Sequence, residues 1–535
     1  MPAVHPLVIL LIGITLILGL IVWLRVNAFL ALILAAMAVS LLAPGDVGSK
    51  MARVGTELGK TAGGIGIIIA LAAIIGKCMM DSGAADRIVR FFLRLLGEKR
   101  GDAALVSSGY VLSIPVFFDT VFYLLVPLAR SMYKKTGKSS LLSVMAIAAG
   151  GACTHTLVPP TPGPLATADA LRVDLGLMIL MGAMIGIPAS FAGVLYAHWL
   201  NKRMPIEMRP IGGNLPEPEP IEEKHLPPLL LAFAPVVLPV MLIGANTAAT
   251  SIANAEHAAR FQAGEVNWAA LRSAIDERLQ QDGTLRAPTD QLLTRLPMDA
   301  KDVLMGDDVI TPNPLSEKNR TTLLAGFNKL LNDSGFFQKK AWRMVDLPGA
   351  AEKLGDADRA RLNSAEVERL NRLVLEATYG EDVIKPHVWD TPARKAANFT
   401  GLIGNPNFAL MISAGIAIWL YVRQRKPTSA EFKHVIEDSL MSAGVIILIT
   451  AAGGAFGAML REAQIGTAIQ DLFAGDGGKA SGMVLLFMAF GIASILKIAQ
   501  GSSTVAMITT ASMMSAMIVG MDLPFNPVYL ATAIA

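Results

Sequence analysis

Long apolar runs separated by short polar breaks dominate this sequence. Stretches long enough to cross a hydrocarbon core as a helix, which takes about 20 residues, occur at 6–24, 27–43, 62–80, 140–157, 175–199, 228–246, 402–421 and 439–460. Two further stretches, 103–129 and 482–520, are apolar but interrupted, by Ser113-Ile-Pro-Val-Phe-Phe-Asp-Thr120 and by Lys497-Ile-Ala-Gln-Gly-Ser-Ser-Thr504. The last run starts after Pro524 and reaches Ala535 within about a dozen residues, too few to finish a crossing. The pattern predicts an all-α polytopic membrane protein. Between 251 and 398 it changes: polar residues alternate with apolar ones at helical spacing, predicting short helices at 267–282, 316–332 and 350–377, with an amphipathic stretch at 366–376.

Composition agrees with this partition. The 535 residues are 53% hydrophobic and 17% charged, but the segment 251–398 is about 28% charged and the remainder about 12%, against about 25% in an ordinary soluble protein. Three regions follow: a first membrane repeat with the start of a second at 1–246, a soluble helical insertion at 247–400, and a second membrane repeat at 401–535. The start lacks a basic n-region and a small-residue cleavage site, which argues against a cleaved signal peptide. A net charge of +3 gives no reason to expect nucleic acid, and two cysteines, Cys78 and Cys153, provide neither a disulfide framework nor a cysteine metal site. His257 and His387 are too far apart in sequence to suggest a metal site, and no Walker sequence follows a strand, so no cofactor or metal is expected.

Lys and Arg in short loops accumulate on the cytoplasmic side. Five lie between 81 and 102 and four between 130 and 138, so both flanks of 103–129 belong to one face. A re-entrant hairpin with its tip near 115–120 satisfies that constraint, whereas a single crossing violates it. Carried along the chain, the count places 18 basic residues inside and six outside, with the insertion external and the second interrupted stretch entering as a hairpin from the opposite face. With an offset of 381, Gly76-Lys-Cys-Met-Met-Asp81 falls on Gly457-Ala-Met-Leu-Arg-Glu462, Ile88-Val-Arg-Phe-Phe92 on Ile469-Gln-Asp-Leu-Phe473, and Asp119-Thr120 on Gln500-Gly501. Opposite orientation of two similar halves describes inverted repeats with two re-entrant helical hairpins and broken helices, the arrangement of secondary transporters.

Irregular backbone at membrane depth is tolerated only beside protein or a water-filled cavity. Three segments require it: the tip around Asp119 and Thr120; the run Thr154-His-Thr-Leu-Val-Pro-Pro-Thr-Pro-Gly-Pro164; and Gln500-Gly-Ser-Ser-Thr504. Thr120, Thr154, Thr156, Thr161, Gly163, Gln500, Gly501, Ser502, Ser503 and Thr504 are therefore the candidate substrate-binding residues, hydroxyl, amide and backbone groups beside half-helix N-termini that attract anions. Asp119 is an ionisable group inside an apolar stretch, which makes it either a proton-coupling residue whose affinity burial would raise or an N-cap. His155 is a second proton-coupling candidate, or an interfacial histidine bonding a freed carbonyl. Lys497 either partners a substrate carboxylate or snorkels to water. Lys77 and Asp81 read as an interfacial ion pair, and Gly63-Gly64-Ile-Gly66 and Gly453-Gly454 as close helix packing.

The segments Pro115-Val-Phe-Phe-Asp119, Thr154-His-Thr-Leu-Val-Pro-Pro-Thr-Pro-Gly-Pro164 and Ala499-Gln-Gly-Ser-Ser-Thr-Val-Ala506 resemble the gluconate permease (gluconate:H+ symporter) family of bacterial inner membranes, over residues 1–246 and 400–535. The resemblance implies kinship with the ion transporter superfamily and an elevator-type transporter in the bacterial cytoplasmic membrane, working as a homodimer in the lipid bilayer. It implies import of gluconate or a related small organic anion with protons, with Asp119, Thr120, His155, Thr161, Gln500, Ser502 and Ser503 near the substrate. It also implies a further broken helix beyond residue 535, and the insertion departs from it. The residues leave open another small carboxylate (lactate, glycerate, a dicarboxylate) and, from a different class, a membrane-anchored external sensing or interaction module.

Overall fold

The computed structural model describes residues 5–97, 100–136, 140–204, 206, 223, 226–280, 287–310, 315–333, 336, 364–465, 468, 482–500, 502–518 and 523–535. Among them the only β-pairing is one isolated bridge, and everything else regular is helical. The chain divides into two compact units, Met1–Thr247 with Leu402–Ala535, and Ala248–Gly401.

The first unit begins with α1 (Pro6–Leu18), which runs into a π-helical turn at Gly19–Trp23, then α2 (Ala28–Leu42), α3 (Lys50–Asp81) and α4 (Ala84–Leu96). An interrupted pair follows, α5 (Gly101–Leu112) and α6 (Phe118–Thr136), then a second, α7 (Ser140–Leu157) and α8 (Pro162–Leu171), and then α9 (Leu175–Arg203) and α10 (Leu229–Ala255). Six helical stretches are long and apolar enough to cross a membrane: 47–81, 141–171, 175–203, 229–255, 406–425 and 429–462. The expected spans at 62–80 and 439–460 are both longer than their apolar runs. Each begins in polar sequence about three turns earlier, because a helix does not have to stop where hydrophobicity does.

The second unit contains α11 (Trp268–Gln280), α12 (Ala287–Arg295), α13 (Met298–Met305), α14 (Glu317–Leu331), α15 (Ser364–Tyr379) and α16 (Pro392–Ile403). The helices expected at 267–282 and 316–332 are present within two residues at each end; of the one expected at 350–377, residues 350–363 lie outside the described set. The amphipathic stretch expected at 366–376 is helical, within α15, but some of its polar residues are buried with its apolar ones. Its polar residues Glu368, Asn371 and Arg372 are as buried as Val374 and Leu375. Arg372 donates from Nε to Glu376 Oε1 (2.8 Å), from Nη1 to Glu265 Oε2 (2.9 Å) and from Nη2 to the Lys385 carbonyl (2.8 Å), and it stacks over Phe261 at 4.2 Å. Glu368 faces Arg260 (2.9 Å) and His257 (3.0 Å), while Asn371 donates to the Leu331 and Asp333 carbonyls at the end of α14. The two histidines thus meet two carboxylates of one helix, two turns apart.

The chain then re-enters the first unit with α17 (Pro406–Arg425), α18 (Ser429–Glu462), α19 (Gly482–Gln500), α20 (Ser503–Met517) and α21 (Pro527–Ile534). Thr428 and Glu431 close a capping box that fixes the start of α18. α3 and α18 pack side by side and antiparallel: Arg53 meets Glu462 at 3.5 Å, Thr61 abuts Gly454, and a Cβ on Gly66 would lie 3.7 Å from Ile447. α2 packs on α18 as α17 packs on α3. Added to the ends of α3, the offset of 381 gives 431 and 462, against 429 and 462 for α18; added to the start of α5 it gives 482, where α19 starts, and added to the end of α6 it gives 517, where α20 stops. The expected equivalence of Ile88–Phe92 with Ile469–Phe473 falls outside the described residues.

Gly453 and Gly454 are close-packing positions as expected, since a methyl group there would collide with Ile508 and with Thr61. Nothing among the described residues approaches the Cβ directions of Gly63 and Gly64, so in the first run only Gly66, beside Ile447, is a contact position.

Arg372→Met is expected to cost about 3–5 kcal/mol in the second unit, because it leaves two carboxylates without their cation. Burial pushes the Glu376 carboxyl up, but hydrogen bonds from His387 and Arg372 outweigh it and hold the group below its ordinary 4.5. That contribution is present above pH 4.5 and is lost as pH falls through the depressed value. Hydrogen exchange across residues 364–379 of the full chain, in the variant and at falling pH, measures both effects.

Candidate functional site

The three expected interruptions are all present, at 113–117, at 158–161 and between α19 and α20. Pro159 and Pro160 lack amide hydrogens and stop α7, and Pro162 and Pro164 then suit the first turn of α8, where donors have no helical partner anyway. Every residue from Leu157 to Ala168 is buried. Thr161 donates from Oγ1 to the Val158 carbonyl at 2.6 Å, satisfying one acceptor freed by the break.

Gly163 brings two of these breaks together. A Cβ there would sit 2.8 Å from Met507 Sδ and 3.6 Å from Thr504 Cα, so the beginning of α8 lies against the beginning of α20. Ser502 caps α20 by accepting from Val505 N at 3.4 Å, and Ser503 accepts a hydrogen bond from Lys497 Nζ. Lys497 is thereby tied to the first turn of α20 while its side chain stays exposed. Gly501 and the side chain of Gln500 lie outside the described residues.

The first tip lies near the same place. Phe117 packs edge-on against His155 with centroids 6.5 Å apart, and Asp119, His155 and Lys497 are near enough for their charges to act on one another. His155 Nδ1 is buried and has no hydrogen-bond partner among the described residues, as are the hydroxyls of Ser113 at the first break, Thr167 in α8 and Thr510 in α20. Buried polar atoms are normally paired, so these four groups keep hydrogen-bonding capacity that the described residues do not meet.

Several expected residues take a different position. Asp119 is neither buried nor the N-cap of α6; it lies exposed in that helix's first turn, where its charge complements the helix dipole. The hydroxyls of Thr154 and Thr156 donate to the Gly150 and Ala152 carbonyls of their own helix, leaving only their lone pairs for a ligand. Thr120 lines a separate cavity of about 360 Å³, shared with Lys77 of α3 and with Asp438, Ser439 and Ser442 of α18. These three α18 residues had not been singled out; their only signal is a polar cluster at the edge of an apolar run. Lys77 and Asp81 form the anticipated pair at 3.6 Å.

A helical unit with six span-length apolar stretches and several breaks lined with hydroxyl groups defines a multi-pass membrane permease. The model of the GntP family permease matches residues 5–266 and 384–535, and the chain belongs to that family. It is 38% identical over 248 residues to an uncharacterized permease of Haemophilus influenzae, covering 44% of this chain, and 32% identical over 250 residues to a gluconate permease of Pseudomonas aeruginosa, covering 45%. In these comparisons the chain spans about half the length of the relative, 50% and 54%. To the inner membrane permease YgbN of Escherichia coli it is 26% identical over 533 residues, 98% of this chain and 86% of the relative. The family match stops at Val266 and resumes at Ile384, and these two residues form the one β-bridge, flanked by Asn267 N to Val383 O and Lys385 N to Glu265 O, both 2.9 Å. The unmatched residues therefore leave and return through a closed neck.

Gly163→Val is expected to force the starts of α8 and α20 apart and to cost about 1–3 kcal/mol, while Gly163→Ala costs less because the flexible end of Met507 can move. Thermal unfolding of the two purified variants in detergent measures the difference.

Proposed function

We propose that the chain is a secondary active transporter that imports gluconate or a related sugar-acid anion across the bacterial inner membrane by proton symport. The convergence of the α8 and α20 starts beside His155 carries this reading. The Gly163 amide between Pro162 and Pro164, together with the first-turn amides of Ser503 and Thr504 in α20, favours a carboxylate, unpaired hydroxyls suit a polyol chain, and Asp119, His155 and Lys497 offer a charge balance that a proton would change. Similarity to a gluconate permease supports the substrate class.

The matching helix ends, the reciprocal packing of α2 on α18 and α17 on α3, and the basic-residue count support two inverted repeats. In this reading α5–α6 and α19–α20 are re-entrant hairpins that move as an elevator against a scaffold built on α3 and α18, within a homodimer. The insertion lies outside and takes no part in the chemistry, consistent with its closed neck and its own buried polar core.

Asp119→Asn is expected to abolish gluconate accumulation driven by a pH gradient in proteoliposomes while leaving insertion intact; accumulation at the wild-type level would remove Asp119 from coupling. Replacing residues 267–383 by a two-residue turn is expected to preserve most uptake, because bridged strands end within reach of such a turn. Loss of uptake in a well-folded deletion protein would make the insertion part of the transport machinery.

A further inference from the structure

The two ends of the α3–α18 pair are built from equivalent positions but closed differently. At one end Arg53 donates from Nε to Ser40 Oγ (2.8 Å), from Nη2 to the Ser40 carbonyl (2.6 Å) and from Nη1 to the Pro44 carbonyl (2.9 Å), and it faces Glu462 at 3.5 Å. The offset of 381 carries Ser40, Pro44 and Arg53 onto Tyr421, Arg425 and His434, and Glu462 back onto Asp81. These four images all line one open cleft of about 660 Å³ at the opposite end. Gly66 and Ile447, which face each other midway along the pair, are also separated by 381, as required of positions next to a two-fold axis relating the two ends.

One difference is chemical. Where Arg53 is a permanent cation with five donors, its image is a histidine, which changes charge between pH 5 and 8. His434 Nδ1 lies 3.1 Å from Asp438 Oδ2 on its own helix, and Asp438 and Asp81 are near enough for their charges to interact. A neutral imidazole has a single N–H; an imidazolium has two.

Resting on the inverted-repeat reading, we infer that His434 and Asp81 form a proton-operated closing contact, the counterpart of the permanent Arg53–Glu462 clasp. Protonated His434 holds Asp438 with one N–H and Asp81 with the other, drawing α3 against α18 and shutting the cleft. Neutral His434 serves one carboxylate only, and the repulsion between Asp81 and Asp438 keeps the cleft open. Lys77 and Arg425 compete for Asp81, at 3.6 Å to its carboxylate and 2.5 Å to its carbonyl. Tyr421 and Glu431 face the cleft, and Asp86 of α4 lies within electrostatic range of Arg425. None of these groups supplies a second donor that appears between pH 5 and 8, so the switch belongs to His434. The device closes one access route as protons rise on that face.

The test uses the full chain in nanodiscs, with Cys78 and Cys153 replaced by alanine and Ala430, a cleft residue, replaced by cysteine. Labelling by a water-soluble maleimide is normalised to the same reaction at Val47→Cys, which cancels thiol ionisation. The normalised rate is expected to fall about tenfold between pH 8 and pH 5.5, to be slow at both pH values in His434→Arg, to be fast at both in His434→Gln, and to lose its pH dependence in Asp81→Asn. A normalised rate that does not change with pH, or that changes equally in His434→Gln, overturns the inference. The readout needs no substrate, so failure of sugar-acid uptake with pH-dependent labelling intact would count against the transport reading alone.

Discussion

Backbone amides and carbonyls released by a helix break must find partners when no water surrounds them, and this requirement organises the membrane unit. At 158–161 the prolines remove donors, the Thr161 hydroxyl takes up one carbonyl, and the entire stretch is packed away from the surface. At that break α8 is buttressed by α20 through a close contact at Gly163. Packing still leaves His155 Nδ1 and the hydroxyls of Ser113, Thr167 and Thr510 without partners among the described residues.

The second unit solves the opposite problem. It is charged enough for water, yet it buries Glu368, Asn371 and Arg372 in its central helix, where Arg260, the Leu331 carbonyl and Glu265 from other segments bond to them. Arg372 reaches Glu265 and the Lys385 carbonyl, both beside the neck, so the insertion's interior is fastened to the place where it departs from the family frame. A long addition that enters and leaves through one bridge places no demand on the spacing of the segments it separates, which is why the family pattern continues on either side.

The α3–α18 pair joins the two halves of the membrane unit. Thr61 meets Gly454 and Gly66 faces Ile447 along its length, one end carries the Arg53–Glu462 pair, and the other opens into the cleft lined by Asp81 and His434. Arginine at 53 is a permanent cation and histidine at 434 is not, so the two ends differ in how they can respond to protons.

Much of the fold was legible in the sequence because hydrophobic periodicity and proline position report directly on helix span and helix end. The presence of the long spans, the three breaks and the Lys77–Asp81 pair are local properties, fixed by residues close together in sequence, whereas the starts of α3 and α18 lie well before their apolar runs. Asp119 was legible as a charge at a tip but not as exposed, because burial depends on what packs across from it. Thr154 and Thr156 were legible as hydroxyls beside a break, yet their donors are spent on their own helix, a matter of rotamer rather than composition. Asp438, Ser439 and Ser442 of α18 reached the cavity beside Thr120 only through the antiparallel packing of helices some 360 residues apart in sequence. The buried role of Arg372 was likewise invisible, since a charged residue at helical spacing looks solvent-facing until other segments close over it. Sequence alone determined where this chain must be helical and where it must break; tertiary structure decided which broken ends meet, because that depends on complementary surfaces far apart along the chain.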